Sequence, residues 1–186
     1  GEMHNLTESG YSDGNGKWVL GGKAMVWFSD RAGYRSHGSW GAQYDAYIMF
    51  FDVDAYDRFR MNKEDLALLE EAEKAEKAEK EKAEKKKKED KKGDKKKDAK
   101  DKKDGEAEKK EEVKPLKFDL DNRFDRIVRL TVNSSFMGDA VLTPKGDKLY
   151  YLAAFESGYD LWEHDLKENS TKILLKGVGG GSLLPD

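Results

Sequence analysis

Leu142-Thr-Pro-Lys-Gly-Asp-Lys-Leu-Tyr-Tyr-Leu152, with Gly158-Tyr-Asp-Leu-Trp162 shortly after it, decides the fold. Pro144 presets its own φ and Gly146 accepts the positive φ of a tight turn, so residues 144–147 reverse the chain. Aliphatic and aromatic residues flank the turn, which predicts a hairpin. Working outward, the pattern predicts strands over Ala140–Thr143, Leu149–Phe155, Tyr159–Leu166 and Lys172–Lys176. Turns fall at Ser157-Gly158 and near Asn169.

The same order occurs in the first part of the chain. Leu6-Thr7 matches Leu130-Thr131, and Trp18-Val-Leu20 matches Ala140-Val-Leu142. Met25-Val-Trp-Phe28 matches Leu149-Tyr-Tyr-Leu152, and Tyr44-Asp-Ala-Tyr47 matches Tyr159-Asp-Leu-Trp162. Phe118-Asp-Leu120 matches His164-Asp-Leu166, and Arg126-Ile-Val128 matches Lys172-Ile-Leu174. Four short strands per unit is the pattern of a β-propeller blade. The predicted class is therefore all-β: two four-stranded antiparallel propeller blades. A lone blade cannot bury both faces and needs neighbours. Gly179-Gly-Gly-Ser-Leu-Leu184 reads as the start of a third unit, so the chain is expected to be a fragment of a larger ring.

Between the matched segments lies a helical, charge-saturated insertion. Residues 71–110 hold 18 Lys and 14 Asp or Glu, and the rest are Ala or Gly. Nothing larger than Ala is available there for burial. The chain's charged fraction of 39% is thus concentrated in one place, and all the Trp, Tyr and Phe lie outside it. Asn62 is a helix cap with Asp65 at the third helical position. Glu70–Lys74, Glu73–Lys77 and Glu76–Lys80 stand at favourable i,i+4 spacing, and disorder is expected around Gly93. Asp45 and Asp119 are 69 residues further apart than their counterparts Asp160 and Asp165, which places the insertion within or at the end of a third strand. The expected division is a first blade at 1–52, the inserted capped helix and charged tract at 53–113, and the end of the first blade, the second blade and the start of a third at 114–186.

Composition narrows function. The tract carries +4 and the remainder −7, which gives no support to nucleic-acid binding. The tract reads as a solvated spacer. A basic surface for acidic partners is opposed by its own interleaved carboxylates. A partner-docking helix over Lys63–Lys85 is a third reading. No apolar run has the length of a membrane span, and there is no cysteine.

Leu142–Leu152 resembles the Ser-Pro-Asp-Gly-Lys-aromatic repeat of tricorn-type and TolB-type propellers, and Gly158–Trp162 resembles the segment that follows it there. Trp27-Phe-Ser-Asp-Arg-Ala-Gly-Tyr-Arg-Ser-His-Gly-Ser-Trp-Gly41, with Tyr44-Asp-Ala-Tyr-Ile-Met-Phe-Phe-Asp52, is similar to the N-terminal propeller of Bacteroidetes-type tricorn-like serine peptidases. Those proteins also carry a Lys/Glu-rich insertion at this place. The resemblance implies a non-catalytic propeller that admits or positions peptides, or scaffolds the assembly. It implies a PDZ-like domain and peptidase core elsewhere in the parent, a periplasmic or otherwise exported location, and peptides or sister domains as partners. A homo-oligomeric parent is compatible with it. A propeller binding module unrelated to proteolysis is the alternative.

Asp30, Ser36, His37 and Ser39 share one loop, but no Gly-x-Ser-x-Gly elbow surrounds either serine, and a triad is assembled by the fold rather than by sequence. No catalytic residue is assigned. Arg35, His37 and Trp40 are the substrate-contact candidates of this loop, because long ordered loops carry binding. Asp52/Asp54/Asp57 and Asp119/Asp121/Asp125 lack the EF-hand Gly and closing Glu and read as strand-end turns. His4, His37 and His164 have no zinc spacing. No metal or cofactor is expected.

Overall fold

The structure, a computed structural model, describes residues 2–37, 41–90, 116 and 118–183, with residues 81–90 by backbone only. Eight strands form two antiparallel sheets of four. The first sheet holds β1 (Asp13–Val19), β2 (Ala24–Ser29), β3 (Asp45–Phe50) and β4 (Ile127–Arg129) in that spatial order. The second holds β5 (Phe136–Leu142), β6 (Lys148–Ala154), β7 (Tyr159–Asp165) and β8 (Ser170–Val178). The all-β expectation holds at this level. The 144–147 turn forms as its residues dictate. Gly146 has φ 73° and donates its N–H to Thr143 O at 2.9 Å, and the Thr143 hydroxyl accepts from the N–H groups of Asp147 and Lys148.

Residues up to Met61 and from Leu116 onward make one compact unit, and residues from Asn62 make another. In the second unit, α2 runs Lys63–Asp90. Its cap forms as expected: the Asp65 N–H donates to Asn62 Oδ1 at 2.8 Å, and Asn62 Nδ2 donates to Asp65 Oδ2 at 2.8 Å. Glu76 and Lys80 pair at 3.5 Å. The disorder expected around Gly93 falls outside the described residues.

The group Asp52/Asp54/Asp57 is where the fold departs from expectation. It forms no strand-end turn. It opens a further helix, α1 (Val53–Arg60), which belongs to the unit of the sheets. Asp52 Oδ1 caps it by accepting from Ala55 N at 2.7 Å, and Arg58 and Arg60 close its last turn. Tyr56 and Phe59 stack on the fully buried Phe50 at 5.4 and 4.9 Å. The helix has only this one aromatic edge, too short a period to be read before the cap is recognised. Lys167, in the β7–β8 turn, donates to the carbonyls of Phe59 and Met61 at 2.6 and 2.9 Å. A cation there satisfies orphan helix carbonyls and opposes the helix dipole. Burial holds the Lys167 ammonium below its usual pKa.

The sheets meet through alternating positions. Val26, Phe28, Ile48 and Phe50 of the first face Leu142, Leu149, Tyr151 and Ala153 of the second. The opposite face of the first sheet carries Trp27, Tyr47 and Met49, packed against Met25, Leu6, Leu120 and Ile127. Strand pairing makes Trp27 the counterpart of Tyr151 and Tyr47 the counterpart of Trp162. Equivalent positions therefore do not meet. The first sheet offers one face and the second receives it on the other, so the two stack front to back. Asp139 of β5 adds a polar tie. It is buried, pairs with Lys17 of β1, and accepts from Ala140 N, Ser182 Oγ and Leu183 N.

The insertion leaves and returns through one closure. The buried Arg126 guanidinium donates to Phe50 O at 3.1 Å, Asp119 O at 2.8 Å and Asp121 O at 3.0 Å. Asp119 N donates to Phe51 O at 2.9 Å. The third strand thus finishes normally at Phe50, and the insertion occupies the connection to β4, at the end of the strand rather than inside it. Arg126→Met should cost about 2 kcal/mol, because the buried Phe50 carbonyl and two part-buried carbonyls of the returning chain lose a charged donor; urea denaturation measures it. Replacing residues 72–112 by a short Gly/Ser link should change stability by less than about 1 kcal/mol, since loop cost grows only logarithmically with length. The same urea titration checks this, and a lost cooperative transition would make the tract structural.

Candidate functional site

Loop 30–43 joins β2 to β3 and is folded back on itself. Gln43 N donates to Tyr34 O at 2.8 Å, Ser36 N donates to Gly41 O at 3.1 Å, and Arg35 bridges Ala42 in antiparallel fashion. Gly33 is obligatory in this geometry, because a Cβ there would lie 1.9 Å from the Gln43 carbonyl oxygen. Tyr44 and Ser135 exchange backbone hydrogen bonds at 2.7 and 3.1 Å, which ties the end of the loop to the segment entering β5.

At the root of the loop sits an arginine held by rings. The Arg31 guanidinium lies 4.9 Å from the Tyr47 ring centroid, 5.5 Å from Trp27 and 5.7 Å from Tyr11. Its NH2 group faces both Asp13 oxygens at 3.5 Å, and its Nε donates to Ser29 Oγ at 3.0 Å. Trp27 Nε1 donates to Asp13 at 3.3 Å. Burial alone would raise the Asp13 carboxyl. Hydrogen bonds from Ser29, Ser9 and Thr7, with the charge of Arg31, outweigh burial and hold it below its ordinary value. An apolar cleft of about 180 Å³ opens beside it between Leu6, Met25, Trp27 and Met49. Asp13 stands on its rim with its oxygens already engaged, so the cleft offers a ligand shape without a waiting charge.

The loop candidates separate. Arg35 stacks on Tyr11 at 4.9 Å, so this ring has a guanidinium at 4.9 Å and another at 5.7 Å. The only ion pair formed by Arg35 among the described residues is through Nε, 3.9 Å from buried Asp30. His37 is exposed, and Trp40 and Ser39 lie outside the described residues. Ser36 Oγ donates to the His37 carbonyl oxygen at 3.3 Å, not to the ring. The Asp30 carboxylate accepts from Ser12 N at 2.9 Å. Asp30, Ser36 and His37 are not assembled as a nucleophile, base and orienting acid.

Arg31, Asp13 and Tyr11 were not anticipated as site residues. For Arg31 a signal existed. It follows the strand bearing Trp27, whose cross-strand partner is Tyr47, and an arginine there lies over both rings. Tyr11 comes from the non-periodic N-terminal segment and left none. The recurring aspartates also differ in detail. Asp45 is fully buried and accepts from Arg129, Thr131 and Ser134 side chains, each at 2.7 Å, while Asp160 accepts from Gly177 N at 2.8 Å. A repeated bond to turn backbone, the simplest reading of their recurrence, is formed by neither, since Asp45 holds side chains and Gly177 lies within β8.

A carboxyl with a depressed folded pKa stabilises above its unfolded value and loses that contribution as pH falls through the folded value. Asp13 therefore steepens acid unfolding below about pH 3.9. Asp13→Asn should flatten that limb, with Asp139 keeping part of it, since Lys17 and backbone donors outweigh the burial that would raise its carboxyl. Thermal midpoints between pH 5 and 2 measure the slope. Comparison with protein-family models, curated proteins and solved structures finds no match for this chain.

Proposed function

We propose that this chain is a non-catalytic β-propeller segment of a tricorn-like serine peptidase that admits or positions peptides or scaffolds the assembly. The observation that carries the reading is the front-to-back stacking of two sheets, in which Tyr151 lies in the contact while its repeat equivalent Trp27 lies on the face of the first sheet turned away from it. A face-to-face sandwich would pair like with like and stop at two sheets. Front-to-back stacking repeats the same contact with each added unit, as blades do in a ring. The resemblance of residues 27–52 to the peptidase propellers supplies the family, and with it the expectation that chemistry is carried by another domain. The separation of Ser36, His37 and Asp30 agrees with that expectation.

Incubation of the chain with unstructured peptides should give no turnover that Ser36→Ala abolishes. Serine-dependent cleavage by this chain would overturn the non-catalytic role. The parent reading frame gives an independent check, since a PDZ-like and serine-peptidase region downstream is the expected finding.

A further inference from the structure

We propose that Arg35, braced on Tyr11, binds the carboxylate of a peptide at the loop end of the two sheets. Arg35 is half-exposed, and among the described residues its one ion pair is through Nε, to an Asp30 oxygen at the long distance of 3.9 Å. The Tyr11 ring, 4.9 Å from the guanidinium carbon, braces the group before a ligand arrives, so less rotamer freedom remains to be lost. NH1 and NH2 then present the parallel donors that match a carboxylate.

The charge selects the class of anion. Asp30 sits against the inner edge of Arg35, and the nearby Arg31 charge is answered by Asp13. One guanidinium with a carboxylate behind it suits a monoanion and disfavours a phosphate dianion. The surroundings favour a peptide as the bearer of that carboxylate. Tyr34, adjacent to Arg35, is 70% exposed, and Phe136 is 50% exposed. Gly41, next to the Arg35–Ala42 bridge, comes close enough to the Phe136 ring that a Cβ added there would lie 3.9 Å from it. These rings offer apolar contact to side chains flanking the carboxylate. The inference rests on the peptide-handling reading for the nature of the ligand.

Three acetylated peptides test it by titration against the intact chain: Gly-Phe-Leu with a free C-terminus, Gly-Phe-Glu-amide, and Gly-Phe-Gln-amide. At least one carboxylate peptide should bind about tenfold more tightly than the Gln-amide, and Arg35→Gln should remove that difference. Preference for the free C-terminus or for Glu tells which carboxylate is read. Arg35→Lys should retain only part of the preference, as it keeps the charge without the fork. Near-UV circular dichroism confirms that each variant keeps the wild-type fold. Equal affinity for all three peptides, no binding of any, an unchanged preference in Arg35→Gln, or stronger competition by inorganic phosphate than by acetate would each overturn the proposal. A parent lacking a peptidase region would sink the family reading and leave this site standing.

Discussion

Arg126 is the residue on which the arrangement depends. Its guanidinium reaches the last carbonyl of β3 and two carbonyls of the returning chain, and it immediately precedes β4. Without it, the fourth strand of the first sheet would have to find its partner after an excursion from residue 51 to residue 126. In the second sheet the same connection is Leu166–Asn169, and no such clamp is needed. A buried charge is tolerated only when its donors are answered, and here three backbone carbonyls and the Asp119 carboxylate at 3.3 Å answer them. The aromatic triad of Trp18, Phe51 and Phe118, with centroids 5.4 to 5.7 Å apart, adds apolar contact to the same closure.

The antiparallel order sorts the connections to two ends. One end carries the 20–23 and 143–147 turns, the β7–β8 turn and the departure of the insertion. The other carries the N-terminal segment, the 30–44 loop, the 130–135 segment and the 155–158 turn. The arginine-and-aromatic surface belongs to this second end. Elaboration of the charged tract therefore proceeds from strand ends remote from the loop that displays Arg35. Lys167 serves the first end alone, seating α1 against the turn of the second sheet.

Much of the fold was readable because its signals are local. Strand–turn–strand spacing around Gly146 and Gly158 placed the four strands of the second sheet in order, with β6 and β7 within a residue at each end but β5 begun four residues late and β8 two residues short at each end, and the repeat transferred that order to the first. What escaped had signals too short or too distant. α1 hides in three aspartates whose capping role depends on where β3 stops. β4 is only Ile127–Arg129, although apolar residues in the sequence suggest a longer strand, because residues Arg123–Arg126 curl into a 3₁₀ turn that delivers Arg126. The repeat alignment also placed the first strand two residues off, since pairing sets Trp18 opposite Met25 and Leu142 opposite Leu149. A slip of two preserves the faces, so it leaves the core assignment intact. In the loop, Arg35 and His37 were named from residue type alone. The ring that organises Arg35 comes from Tyr11, which no spacing rule connects to it.

Front-to-back stacking has a consequence for how such a sheet pair behaves as a molecule. A heterologous contact carries no stopping rule of its own: whatever fits the leading face once will fit it again, and the outcome is a closed ring or an open filament according to the angle between successive sheets. The trailing face of the first sheet already has a cover, since Leu6 lies over Trp27, Tyr47 and Met49. The two outer faces of the pair are therefore unlike, so any stack built by repeating this contact has a direction, and a ring made from it has a single joint at which this N-terminal stretch must be accommodated.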